Sequence, residues 1–149
     1  MIKVKNNKLK NNMFSRCMYF NSNALSRKLN AHWHEAFTQF DLPPSHGYLL
    51  RLVLTSPGLT QQEIAEELAL EKSTVTRFID KVAAKGLIER REDTTNSRQK
   101  CVYPTEKATA IQDKLEQLGD ELYSSMCEKF GTDDVEQFVQ SLKKFANQL

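Results

Sequence analysis

Residues 58–104 read GLTQQEIAEELALEKSTVTRFIDKVAAKGLIERREDTTNSRQKCVYP, and this stretch decides the fold. Thr60, followed three residues later by Glu63, is a capping box. A hydroxyl and a carboxylate there satisfy amides that have no partner at a helix start. Ile64, Leu68 and Leu70 then supply an apolar stripe, with Ala65 and Ala69 small enough for close helix contact. After a turn near Leu70 and Glu71, a second helix is expected from about Lys72 to Lys85. It sets Val75, Phe78, Ile79 and Val82 on one face and Lys72, Ser73, Thr76, Arg77 and Lys81 on the other. Gly86 stands where a left-handed C-terminal cap belongs. Two short helices joined by a tight turn, the second carrying hydroxyls and basic groups outward, describe a helix-turn-helix.

The residues beyond Gly86 narrow the reading. Leu87 to Arg91 alternates like a short strand, and Lys100 to Tyr103 can return as its partner. The turn-rich stretch from Glu92 to Gln99 lies between them. A hairpin after such a helix pair is a wing. Its tip carries Asp93 and Arg98, so an arginine can reach a minor groove while the acid holds the loop.

The segments LTQQEIAEEL and STVTRFIDKVAAKGLIERR, the wing pattern D-x-x-N-S-R-Q-K and the run Y-P-T-E-K-A together resemble the winged-helix core of the MarR family of bacterial transcriptional regulators. The resemblance covers residues 13–148 and is strongest over 58–107. Two positions depart from it: Glu71, where a small capping residue is more usual, and Ala108, where the family commonly has glycine. The implied fold class is mainly α with a small β-hairpin wing, a winged helix-turn-helix with N- and C-terminal dimerisation helices. The winged-helix core would span about 42–107 and the dimerisation helices about 13–40 and 106–148, all in a single domain.

Under this reading Ser73, Thr74, Thr76 and Arg77 sit where side chains reach base edges. Arginine can make bidentate contacts to guanine, and hydroxyls can read either base type or hold phosphate. Lys72 and Lys81 suit the DNA backbone, and Thr60, Gln61, Arg90, Arg98 and Lys100 complete the expected DNA-binding set. The plainer alternatives are a solvated helix face and an ordinary charged hairpin tip.

Charge distribution agrees with a polarised molecule. The formal net charge is only +2 over 149 residues. Residues 72–100, however, carry eight Lys/Arg against four Asp/Glu, and 1–41 carry seven against two, whereas 108–149 carry four against eight. One face can thus meet phosphates while the other stays away from them. Three cysteines (Cys17, Cys101 and Cys127) form neither a disulfide framework nor a metal-ligand spacing. His32 and His34 flank Trp33, but two residues apart on a helix they point about 200° apart and cannot chelate one metal. No stretch is apolar for the ~18 residues a membrane span needs, and the start, MIKVKNNKLKNN, lacks the apolar core of a secretory signal. A soluble cytoplasmic protein is the expectation, with no metal and no cofactor. No glycine-rich phosphate loop, G-x-S-x-G or H-E-x-x-H occurs, so no enzyme is expected.

Outside the core, residues 1–12 read as a flexible arm. A helix is expected from about Met13 to Phe40, broken by Pro43 and Pro44, with Ser45 capping another from His46 to about Thr55. Leu49, Leu50, Leu52, Val53 and Leu54 make that one apolar on most sides. Thr105 is placed to cap a long helix to about Lys129, with Ile111, Leu115, Leu118, Leu122 and Met126 along one seam. Gly131 ends it, and Thr132 caps a last helix whose apolar face is Val135, Phe138, Val139, Leu142 and Phe145. A seam without an intrachain partner points to oligomerisation. In the family the first and last two helices interlock between subunits, which implies a homodimer reading a pseudo-palindrome.

The resemblance further implies a repressor released from its operator by a small molecule or by oxidation. A ligand site would lie where dimer helices meet the winged helix, near Cys17, Phe20, Trp33, Phe37 and Tyr48. Cys17 holds a place comparable to the reactive cysteine of the organic-peroxide-sensing branch. That branch has a tyrosine one helical turn on, where this chain has Asn21, and Tyr19 stands two residues on instead. A redox sensor using Cys17 and a winged helix that binds protein rather than DNA both stay open.

Overall fold

The computed structural model describes residues 13–96 and 98–149, so the expected arm over 1–12 and position 97 of the wing lie outside the described residues. In order the elements are α1 (Met18–Phe37), a 3-10 turn (Thr38–Phe40), α2 (Pro44–Thr55), β1 (Leu59–Thr60), α3 (Gln61–Leu68) and α4 (Lys72–Ala84). They are followed by β2 (Ile88–Glu92), β3 (Lys100–Pro104), α5 (Glu106–Thr109), α6 (Gln112–Phe130) and α7 (Thr132–Gln148). The expected winged helix-turn-helix is thereby present.

The helix pair is built as its sequence dictates. Thr60 Oγ1 accepts from the Glu63 amide at 3.2 Å, and the Glu63 carboxylate accepts from the Thr60 amide at 2.8 Å, completing the capping box. These bonds hold the Glu63 carboxyl below its usual range. At its other end α3 closes on Ala69 in the left-handed region (φ 52°), with the Leu70 amide reaching the Ala65 carbonyl at 2.9 Å. α4 closes the same way on Gly86 (φ 72°): the Gly86 amide bonds the Ala83 carbonyl at 2.8 Å and the Leu87 amide bonds that of Val82 at 3.3 Å. Glu71, the N-cap of α4, gives no side-chain bond. A missing cap costs about 1 kcal/mol, whereas the fully buried Val75, Ile79 and Val82 contribute about 1.5–3 kcal/mol each. Docking, not capping, therefore fixes this helix.

The sheet has three strands in the order β1-β3-β2, all antiparallel. Leu59 pairs with Val102 and Arg90 with Val102 on its other edge. The expected wing hairpin supplies two of these strands; the third, the two-residue β1, is too short to carry a periodic signal. Core residues Leu49, Leu50, Val53, Ile64, Val75, Ile79, Val82, Val102 and Leu115 are fully buried beneath the sheet and between the helices.

Four expectations need correction. The first helix starts at Met18, not Met13, because Cys17 adopts an extended backbone and its Sγ caps the Phe20 amide at 3.4 Å. α2 starts at Pro44 with Pro43 as N-cap, not at Ser45, because proline at the first helical position has its fixed φ and lacks only an amide that is unpaired there anyway. Thr105 does cap a helix, with its hydroxyl accepting from the Ala108 amide at 3.4 Å, but the expected long helix breaks at Ala110 and Ile111. The break lets α5 seat Ala108 in the core while α6 redirects Leu115, Leu118 and Leu122 into it. Thr132 is the first residue of α7 and not its cap, that position falling to Gly131 (φ 89°).

The apolar seams also divide differently from expectation. That of α6 is satisfied inside the chain, where α2 packs on it. The face of α7 is not: Phe138, Val139, Leu142 and Phe145 are all more than 40% exposed. α1 is split, with Phe37 in the core and Met18, Tyr19 and Phe20 at the opposite end exposed.

Candidate nucleic-acid interface

The outward face of α4 is ready for a partner. Lys72, Ser73, Arg77 and Lys81 are exposed, and among the described residues their side chains make no hydrogen bond or ion pair. Thr74 is half-buried beside them. The inner face anchors them, with Phe78 packed on the buried His46 ring at 4.8 Å between centroids. Burial first, and then the nearby charges of Lys81 and Lys85, hold the His46 imidazole below its usual value, so it stays neutral until lower pH.

The other expected DNA-binding residues sort into two groups. Arg98 and Lys100 are exposed on the wing. Its loop is held as expected by Asp93, whose carboxylate accepts from the amide and hydroxyl of Thr95 at 2.9 Å each and is thereby held below its usual range. Thr60, Gln61, Thr76 and Arg90 are instead engaged within the protein. Thr60 is taken up by the capping box. Gln61 Nε2 donates to Thr76 Oγ1 at 3.1 Å, and Arg90 donates to both Gln61 Oε1 at 3.0 Å and Asp80 Oδ1 at 2.6 Å. Asp80 is the residue that sequence reasoning missed. Its partner lies ten residues on in another element, and no periodic signal marks it.

On the wing stem Arg91 stacks 4.5 Å from the centroid of Tyr103 and pairs with Glu89. At the base of α4, Lys85 pairs with the carboxylate of Asp41 at 2.9 Å and with its carbonyl. Asp41 lies in the left-handed region (φ 52°), and the lysine holds its carboxyl below the usual range.

The expected ligand set does not gather at one place within the chain. Trp33, Phe37 and Tyr48 do meet: Trp33 Nε1 donates to Tyr48 Oη at 3.1 Å, and the Phe37 and Tyr48 rings are 6.0 Å apart. Cys17 and Phe20 lie at the other end of α1, about 20 Å or more away at 1.5 Å per residue, where Phe20 stacks on Phe14 at 5.0 Å. Two surface cavities of ≈ 290 and ≈ 780 Å³ open elsewhere, and none of these five residues lines either. Among the described residues no group of three or more His, Cys, Asp or Glu side chains could hold a metal ion.

Residues 42–100 match the model of the MarR family. The match covers the winged-helix core, from α2 to the start of β3. The chain is 27% identical over 96 residues to the uncharacterised HTH-type transcriptional regulator YybA of Bacillus subtilis, a match spanning 64% of each chain. The S. aureus MepR–DNA complex superposes with a TM-score of 0.79 at 22% identity, covering 89% of this chain and 98% of that one. The transcriptional repressor CouR bound to a 23-mer DNA duplex gives 0.82 at 19% identity, covering 91% and 96%. YybA and the HosA protein of Escherichia coli O157:H7, 25% identical over 118 residues, are both described as transcriptional regulators. Among the described residues no helix is long and apolar enough to cross a membrane.

Proposed function

We propose that this chain is a regulator of the MarR family, a cytoplasmic homodimeric repressor that reads a pseudo-palindromic operator and is released by a small molecule. The observation that carries the DNA reading is the α4 face. Lys72, Ser73, Arg77 and Lys81 stand exposed and unengaged on a helix whose opposite face is fully buried. Such a helix enters a major groove with hydroxyls and arginine toward base edges and lysines toward phosphates. The wing sets Arg98 and Lys100 beside it for an adjacent minor groove. Both MepR and CouR, its structural relatives, are described as DNA complexes, and CouR as a repressor.

The dimer is supported by the α7 stripe, an apolar face that a second copy would cover. Release is supported by the meeting of Trp33 and Tyr48 between α1 and α2, where Arg51 lies 5.6 Å from the Tyr48 ring. An aromatic surface next to a cation can hold a small molecule, and it bridges a dimer helix and the winged helix.

Fluorescence anisotropy against duplex DNA, with sedimentation of the free protein, tests the proposal. A dimer is expected whose log affinity falls linearly with log salt as counterions leave the phosphates. Affinity indifferent to salt would instead indicate a winged helix that binds protein.

A further inference from the structure

Asp80, Arg90, Gln61 and Thr76 form one connected polar chain across three elements. Arg90 of β2 donates through Nη2 to Asp80 of α4 at 2.6 Å and through Nε to Gln61 of α3 at 3.0 Å. Gln61 passes its amide hydrogen to Thr76 Oγ1 at 3.1 Å, and Thr76 gives its own to the Lys72 carbonyl at 3.0 Å. Each group is engaged within the protein. A hydroxyl has one donor, and that of Thr76 goes to the α4 backbone. Both ends of the Gln61 amide are engaged, and the Arg90 charge is matched by Asp80.

We propose that Asp80, Arg90 and Gln61 are positioning residues that lock the wing strand to both helices of the helix-turn-helix, so that Ser73, Thr74 and Arg77 meet the bases in one fixed register. This rests on the proposed DNA binding. The guanidinium is rigid, planar and forked, so bonds from two of its nitrogens fix direction as well as distance. A chain of satisfied polar groups at a partly buried site resists distortion more than separate pairs do. Asp80 supplies the discriminating sign. An acid on a helix that faces phosphates weakens DNA binding by charge alone, so its removal should tighten binding to every sequence. If it is a positioning residue, its removal loosens binding to the chosen sequence only.

The experiment first uses the wild-type protein to select duplexes from a random pool. Wild type, Asp80→Asn, Arg90→Lys, Arg90→Gln and the Asp80→Asn/Arg90→Gln double variant are then titrated against the selected duplex and a scrambled one across salt. Circular dichroism checks that each is folded at the assay temperature. Asp80→Asn should lose about tenfold on the selected duplex while holding or gaining on the scrambled one. Arg90→Lys, which keeps the charge, should lose discrimination with an unchanged salt slope. The double variant should lose no more than either single change, because the link is already broken.

Tighter binding of Asp80→Asn to both duplexes overturns the proposal. So does full discrimination by Arg90→Lys together with a salt slope lowered by about one in Arg90→Gln, the mark of a phosphate contact. Should Asp80→Asn fail to fold, Arg90→Lys decides alone. Wild type selecting no duplex would sink the DNA reading itself, an outcome distinct from any failure of the variants.

Discussion

Arg51 holds Glu116 with two nitrogens of its guanidinium, Nε to Oε1 at 3.2 Å and Nη2 to Oε2 at 2.9 Å, and so ties α2 to α6. The arginine holds the Glu116 carboxyl below its usual range. A carboxyl whose folded value is depressed contributes stability that is complete above its unfolded value and is lost as pH falls through the folded one. Acid titration of the unfolding free energy should therefore slope less in Glu116→Gln than in wild type below the ordinary glutamate range. Because Glu116 is 44% exposed, the loss near neutral pH should be about 0.5–1 kcal/mol. Parallel acid limbs in the two proteins would refute the link.

Gly47 and Gly119 should respond differently to the same methyl group. At Gly47 a Cβ would strike the ring of the fully buried Phe37, lying 2.7 Å from its Cδ1. Packed core atoms cannot yield, so Gly47→Ala should cost about 2–3 kcal/mol by urea unfolding. At Gly119 the methyl would meet only the tip of Arg51, 2.8 Å from its nitrogens, and a flexible side chain can move aside. The cost of Gly119→Ala should then approach that of losing the Arg51–Glu116 pair, about 1 kcal/mol or less.

The turn of the helix pair can be improved. Ala69 is held in the left-handed region, at about 1–2 kcal/mol for a residue with a Cβ. Glycine avoids that cost but gives back about 0.4–1 kcal/mol in unfolded-chain entropy. Ala69→Gly should thus stabilise by roughly 0.5–1 kcal/mol. Glu71→Ser supplies the side-chain cap that α4 lacks and should add about 0.5–1 kcal/mol. Thermal unfolding reads both, and a lower melting temperature in either variant refutes the corresponding claim.

Base reading and phosphate positioning should separate on α4. Arg77→Ala should weaken the preferred duplex by ~1–3 kcal/mol and relax sequence preference. Lys81→Ala should weaken all duplexes alike and flatten the salt slope by about one. On the wing, Arg98→Ala should matter most on A/T-rich flanks, where a narrow minor groove concentrates negative potential. Equal losses on every sequence for Arg77→Ala would remove it from the reading set.

Features formed within about one helical turn were legible in the residues alone. The Thr60–Glu63 box and the left-handed Gly86 join residues at most five apart, and the apolar row Val75, Ile79 and Val82 repeats every three or four, so periodicity and capping rules suffice. The exposed row Lys72, Ser73, Arg77 and Lys81 follows from the same periodicity. Which polar groups hydrogen-bond one another depends instead on how the elements dock. Gln61 reaches Thr76 across 15 positions and Arg90 reaches Gln61 across 29, and those meetings exist only once α3, α4 and β2 have docked. The same holds for the break at Ala110 and Ile111, where the need to bury both Ala108 and Leu115 overrides a continuous helical pattern. It holds also for the α6 seam, which α2 covers, while that of α7 stays open. Local chemistry fixes where a helix begins and which of its faces is apolar; only the packing of one helix on another decides what that face meets.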